Sequence, residues 1–253
     1  MKPISIAAIT AAMLLASAGC KKDSVDPPAT TPPNSITATV RMNYMFVNGT
    51  EPFVLNNTVL RDTNGVAVKL DAVRFFVSGV HAMDDADNAI GHYESAYMLV
   101  DASQATNDFL LGQIHASHIH QFHFDLGLDA TANSGDPATA AAPLNDASMF
   151  FAGQWTGMGY KFFAVSGFAD VDNNGTYETP VRYECGMNTA LTEAHAHVDH
   201  ELANGDTYTA QINVDLNRIF AGLNLTTWPT PDMHSPECAR IMLDLSAGID
   251  GME

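Results

Sequence analysis

A two-residue rhythm constrains this chain more than any other feature. Residues 36–47 (ITATVRMNYMFV) alternate apolar and polar, and Asn48-Gly49 then supplies a turn. Thr63-Asn64-Gly65 offers another turn, followed by the β-rich run 66–80 (VAVKLDAVRFFVSGV). Residues 97–100 form a short buried run, 118–126 (HIHQFHFDL) alternate again, and 160–167 (YKFFAVSG) are aromatic and apolar. Residues 206–216 (DTYTAQINVDL) alternate, and 241–245 are expected to close the domain as a last strand. Helical signal is confined to short stretches around 215–221 and 101–111. Many short strands between Gly, Asn and Asp turns predict an all-β domain, an antiparallel β-sandwich or barrel-like fold with long loops and one or two short helices. The long loops fall at 129–146 and 224–238, and loops of that length in a compact domain are usually functional or mobile.

The chain opens differently. Lys2 precedes an apolar run over residues 4–18, and small residues lead to Gly19-Cys20. This order describes an export signal, too short to span a bilayer. Gly19-Cys20 matches the end of a bacterial lipobox, with Ser17 standing where an aliphatic residue is usual. The reading is a lipoprotein signal peptide over 1–19, lipidation at Cys20, a lipid-anchored Pro-rich linker over 20–35 and one β domain over 36–253. Plain secretion is the alternative. Removing 1–19 leaves 10 Lys+Arg against 29 Asp+Glu, a net charge of −19 rather than −18. That excess disfavours nucleic acid and any membrane contact beyond the lipid anchor itself.

With Cys20 lipidated, Cys185 and Cys238 remain, both in loop-like sequence (ECGMN and SPECAR). Two cysteines left in an exported chain most often pair, closing a loop of about 50 residues worth about 3–4 kcal/mol on the chain-entropy model. Two buried free thiols are the other possibility.

Seven of the 10 histidines fall in two groups. One group is His115-Ala-Ser-His118-Ile-His120-Gln-Phe-His123, the other His195-Ala-His197-Val-Asp-His200. On a strand, His118 and His120 point to one face, as do His195 and His197. Two such pairs on neighbouring strands could supply a complete set of imidazoles for one metal ion; neutral imidazole suits copper and zinc, and Met83, Met149, Met158 or Met187 could complete a copper site. The bland alternative is histidines that decorate a solvated strand. A second candidate is Asp170-Val-Asp172-Asn-Asn174-Gly175-Thr-Tyr-Glu178, where oxygen ligands at alternate positions resemble half of a calcium loop. The twelfth position is Val181 instead of the bidentate Glu, and a polar hairpin turn at Asn174-Gly175 explains the same residues. Motifs for nucleophilic catalysis or phosphate binding are missing from the sequence, so no catalytic residue and no enzymatic role is expected.

One stretch carries a family resemblance. Met149-Phe-Phe-Ala-Gly-Gln-Trp155-Thr-Gly-Met-Gly159-Tyr160-Lys-Phe162, with a strand ending at Gly167, resembles the MbnP-like copper-binding domain family. Further similarities follow in order: residues 70–78, then Phe122-His-Phe-Asp-Leu-Gly127-Leu-Asp129, then Val214-Asp215 with Ile219-Phe220. Together they span about residues 36–247. The resemblance implies a copper-binding protein of the bacterial cell envelope, in the periplasm or at the outer membrane, for acquisition, storage or buffering. In some relatives a Trp oxidised by a dihaem partner enzyme joins imidazoles at copper, and Trp155 holds that position here. The sequence departs from the family at Phe151, where relatives often have a first Trp, and at Glu184, where relatives often have His two residues before a Gly. His195 and His197 are candidates to replace that ligand. Two other readings stay open: a non-catalytic surface or structural lipoprotein stabilised by calcium, and copper-zinc superoxide dismutase-like chemistry, whose His-x-His strand His118-Ile-His120-Gln-Phe resembles. The second lacks the Gly-rich segment with a positioned Arg before Cys185-Gly186.

Overall fold

A computed structural model describes residues 36–231 and 236–252; the expected signal peptide, the Cys20 lipidation site and the linker lie outside them. The described chain forms strands β1 (Ala38–Asn48), β2 (Glu51–Pro52), β3 (Leu60–Arg61), β4 (Ala67–Met83), β5 (Ala89–Tyr93), β6 (Met98–Asp101), β7 (Asp108–Ile114) and β8 (His118–Leu126). A long connection with the short helix α1 (Ala130–Asn133) leads to β9 (Lys161–Asp170), β10 (Thr179–Gly186), β11 (Thr192–Glu201) and β12 (Thr207–Asp215). Helices α2 (Leu216–Ala221) and α3 (Pro236–Ala247) precede the last strand, β13 (Ile249–Gly251).

Two sheets make a sandwich. The smaller has the order β13-β12-β1-β2, with β7 also on β1. The larger has the order β10-β9-β4-β8-β11, with β3, β5 and β6 also on β4. Pairing is antiparallel except β1 with β12, which run parallel in the register Thr39↔Thr207 to Val47↔Asp215. The long strand β4 organises the larger sheet. Val77 pairs with Met98 of β6 and with Leu126 of β8, so β6 and β8 flank opposite edges. Phe75 pairs with Val100 of β6 and Phe163 of β9, which puts β9 on the same edge as β8. The first half of β4 therefore carries β9–β10, and the second half carries β8–β11 on that edge and β5 on the other.

Alternation fills the space between the sheets. Val40, Met42 and Tyr44 of β1 are buried, as are Ala210, Ile212 and Val214 of β12. They meet Phe75 of β4 and Phe122, Phe124 and Leu126 of β8. Tyr44 stands edge-on to Phe75 and Phe124, with ring centroids 6.1 and 6.2 Å apart, the preferred arrangement of aromatic quadrupoles. At one margin β13 lies against β11. A Cβ added to Gly251 would sit 1.8 Å from the His197 carbonyl oxygen, so only glycine permits that approach.

Three sequence expectations need correction. Residues 101–111 are not helical: the Asn107 side chain accepts from the Asp101 amide at 2.8 Å and donates to its carbonyl at 3.1 Å, holding a turn between β6 and β7. Residues 241–245 lie in α3, not in a strand, because Cys238, Ile241, Met242 and Leu245 recur at helical spacing and are buried while Leu243 is exposed. The cysteines are not in loops; Cys185 is the penultimate residue of β10 and Cys238 lies in the first turns of α3.

Cys185 and Cys238 form a disulfide that clamps α3 to the sheet edge across 53 residues. Chain entropy gives it about 4 kcal/mol. Replacing both cysteines by serine lowers the unfolding free energy by about that amount, read from urea denaturation; an unchanged midpoint would show that the crosslink does not restrain the unfolded chain.

Candidate metal centre

Period two sorts the second half of β4, with β5, β8 and β11, into an apolar face and an imidazole face. On β8, Ile119, Phe122 and Phe124 point inward and His118, His120 and His123 outward, because the alternation slips once at His120-Gln121, two consecutive residues that both stay partly exposed. On β11, Ala194, Ala196 and Val198 are buried between Glu193, His195, His197 and Asp199. On β4, His81 stands between buried Val80 and Ala82. Pairing then aligns the rings: His92 opposes His81, His81 opposes His123, and His123 opposes His195. Directly opposed residues share a face, so these imidazoles form a row across the sheet.

Two backbone irregularities bring carboxylates to this face. In β11, Val198 and Asp199 stand against His120 alone, a bulge between the pairs His197↔Gln121 and His200↔Ile119. Asp199 takes φ +39°, a left-handed conformation that Asp tolerates better than most residues. Its Oδ1 comes 2.9 Å from His118 Nε2. The other device is the β4–β5 hairpin turn. The Asp84 carboxylate accepts from the amides of Ala86 at 2.9 Å and Asn88 at 2.8 Å, and these bonds with Asn88 hold it below the ordinary carboxylate pKa. The turn leans over β8. Asp85 reaches His118 Nδ1 at 3.3 Å and His120 Nδ1 at 3.5 Å, and Asp87 reaches His123 Nε2 at 3.4 Å.

Three groups of side chains could hold an ion among the described residues: Asp85, His118 and Asp199; His123, Glu193 and His195; and His81, His92 and Glu94. Ring planes distinguish them, because a metal bound to an imidazole nitrogen lies near the plane of that ring. His123 and His195 are stacked, 3.8 Å apart at 2°, so one ion cannot lie in both planes until a ring turns. His120 and His197, which belong to none of these three groups, cross at 89° with centroids 4.4 Å apart, so their ring planes do not exclude a shared ion. His120 Nδ1 and His123 Nε2 are buried and make no hydrogen bond, with the Asp85 and Asp87 carboxylates 3.5 and 3.4 Å away. Burial first, then the neighbouring His195, hold His123 below the ordinary imidazole pKa, against Asp87 and Glu193; its ring is neutral near pH 7.

The two His-x-His pairs thus lie on paired strands but do not converge as a single four-imidazole set. His120 meets His197, His118 meets Asp85 and Asp199, and His195 lies against His123. Trp155 ends a short 3-10 turn (Gly153–Trp155) in the β8–β9 connection, not on the imidazole strands. Met83 and Met149 are buried in the apolar interior, and Met158 and Met187 line a separate surface pocket with Asn133. Asp170, Asp172, Asn174 and Glu178 form the β9–β10 turn. Asp170 accepts from the Asn174 and Gly175 amides at 2.9 and 3.0 Å, and Asn174 accepts from the Thr176 amide at 2.7 Å, as a polar hairpin requires. His81, His92, Glu94, Asp85 and Asp199 escaped the sequence reading. The symmetric placement of His81 and His92 about the turn at 84–88 was the available signal for the first two.

Glu184, at the position where a His was expected by family resemblance, is engaged in ion pairs. It accepts from Lys161 Nζ at 2.8 Å and from Arg182 at 2.6 Å. Burial pushes its carboxyl up, but these two partners outweigh burial and leave its pKa below the ordinary value. A lowered folded pKa contributes stability above the unfolded value, about 4.3, that is lost as pH falls through the folded value. Glu184→Gln therefore flattens the loss of stability between about pH 5 and pH 3, measured by urea midpoints across that range; parallel slopes for both proteins would contradict this.

Comparison with known proteins agrees with this architecture. No curated protein sequence matches the chain. Among solved structures, MbnP from Methylosinus trichosporium superposes with a TM-score of 0.53 at 14% identity, covering 81% of this chain and 87% of that one. At that identity the likeness concerns the fold. The family model described as MbnP matches residues 36–238, most of the chain, and on that match the protein belongs to the MbnP family.

Proposed function

We propose that this protein is an exported copper-binding lipoprotein of the bacterial cell envelope, acting in acquisition, storage or buffering without catalysing a reaction. The observation that carries the reading is the crossing of His120 and His197 beside His118, Asp85 and Asp199 on one sheet face. Imidazole nitrogen is a donor suited to copper, and carboxylates can complete or orient such a set. Family membership and the Cys185–Cys238 disulfide support a role outside the cytoplasm. Attachment through a lipid on Cys20 belongs to the same reading and rests on the leader sequence.

His118, His120 and His197 are the proposed ligands, with Asp85 and Asp199 orienting His118 in the absence of metal. His195 joins only after its ring leaves the stack on His123. Copper, when bound, supplies a Lewis acid that takes the nitrogen lone pairs; the chain supplies strands that fix where those lone pairs point. The reading does not require modification of Trp155 or a dihaem partner, and a natively produced protein whose intact mass shows an oxidised Trp would add that residue to the set.

Purified protein takes up copper under this reading, and H118A/H120A/H197A loses it. The loss exceeds the roughly 10–100-fold that removal of an outer-sphere partner costs, and Asp199→Asn falls within that smaller range. Copper affinity and stoichiometry unchanged in the triple variant, measured by competition with a chromophoric chelator, would refute this ligand assignment.

A further inference from the structure

The β4–β5 hairpin carries a second cluster that the copper reading does not use. His81 and His92 form a cross-strand pair, and their Nδ1 atoms lie 3.1 Å apart. Glu94 follows β5 two residues after His92; the side chain between them, Tyr93, is buried, so His92 and Glu94 share the outward face. Glu94 Oε1 lies 3.5 Å from His92 Nδ1. One ligand atom from each of the three residues falls within 4.8 Å of the others.

We infer that His81, His92 and Glu94 form an independent site for a borderline divalent cation such as Zn²⁺, Cu²⁺ or Ni²⁺. The spacing carries the inference. Metal–imidazole bonds of about 2.0–2.1 Å put two nitrogens about 2.9 Å apart at a right angle and about 3.3 Å apart at the tetrahedral angle. The observed 3.1 Å lies between these. A linear two-coordinate ion would need about 4.1 Å by the same bond lengths. The ring planes cross at 85°, so one ion can lie in both. Without an ion, one Nδ1 donates its hydrogen to the other; on binding, that ring takes the tautomer with its proton on Nε2, and two metal–nitrogen bonds replace the single hydrogen bond.

The donor set also selects the cation. Two nitrogens and one carboxylate are too few oxygens for Ca²⁺ or Mg²⁺. Three protein ligands leave a fourth position for solvent, the mark of an exchangeable rather than a sealed site. The ligands need little ordering, since both histidines stand on paired strands held by Gly91 beneath Tyr93 and Ile114.

Zn²⁺ alone is the probe. The full chain is dialysed to equilibrium against Zn²⁺, and bound ions per chain are counted for wild type, H81A/H92A, Glu94→Gln and H118A/H120A/H197A. The inference predicts that H81A/H92A loses one ion, that Glu94→Gln binds it more weakly, and that the triple variant keeps it. In ¹⁵N spectra the Nδ1 signals of His81 and His92 shift in one step. Wild-type stoichiometry in H81A/H92A overturns the site. Loss of every ion in the triple variant also overturns it while leaving the copper reading intact. Should H81A/H92A fail to fold, the Glu94→Gln count and the two Nδ1 signals decide alone.

Discussion

The register of β4, β8 and β11 is the constraint on which the rest depends. Phe122 and Phe124 fill the sandwich because His123 and its outward neighbours do not. A slip of one residue would exchange the two sets, burying imidazoles and exposing aromatic rings. Burial of each Phe is worth about 1.5–3 kcal/mol, so the core enforces the register. The row of rings from His92 to His195 is a by-product of that enforcement. Ligands come into line without any loop having to be ordered for them, a form of preorganisation that strands provide more reliably than loops.

Irregularities in the pairing then give the face its chemistry. The bulge at Val198 and Asp199 turns a carboxylate toward His118, and the tight turn after β4 delivers Asp85 and Asp87 over β8. Elsewhere the polar potential is spent on structure. Glu184 Oε1 accepts from both Lys161 and Arg182, and Asp170 accepts from two amides of its own turn. On the imidazole face, by contrast, rings face one another at 3.1 Å or cross at 89°.

Much of this was legible in the residues, and the rest failed for identifiable reasons. Alternation and Asn-Gly turns reveal a β fold, and a His-x-His pair declares a shared face by itself. The partner of each strand is another matter. The sequence does not say that β12 pairs parallel with β1, nor that His120 rather than His118 meets His197, because both depend on long-range register and on bulges. His81 and His92 are single histidines in the sequence and become a pair only across a hairpin. The 238–245 segment mixes periods, and the buried set Cys238, Ile241, Met242 and Leu245 emerges only when helical spacing is tried. A family motif around Trp155 drew attention to a loop, whereas the imidazoles stand on strands.

The location of bound copper tests the account most directly. One equivalent of Cu²⁺ added to ¹⁵N-labelled protein broadens amide signals near the ion through paramagnetic relaxation. The account predicts broadening centred on His118, His120, His197 and Asp199, with the β8–β9 connection around Trp155 retained. Broadening centred on residues 150–160, with β8 and β11 spared, would contradict it.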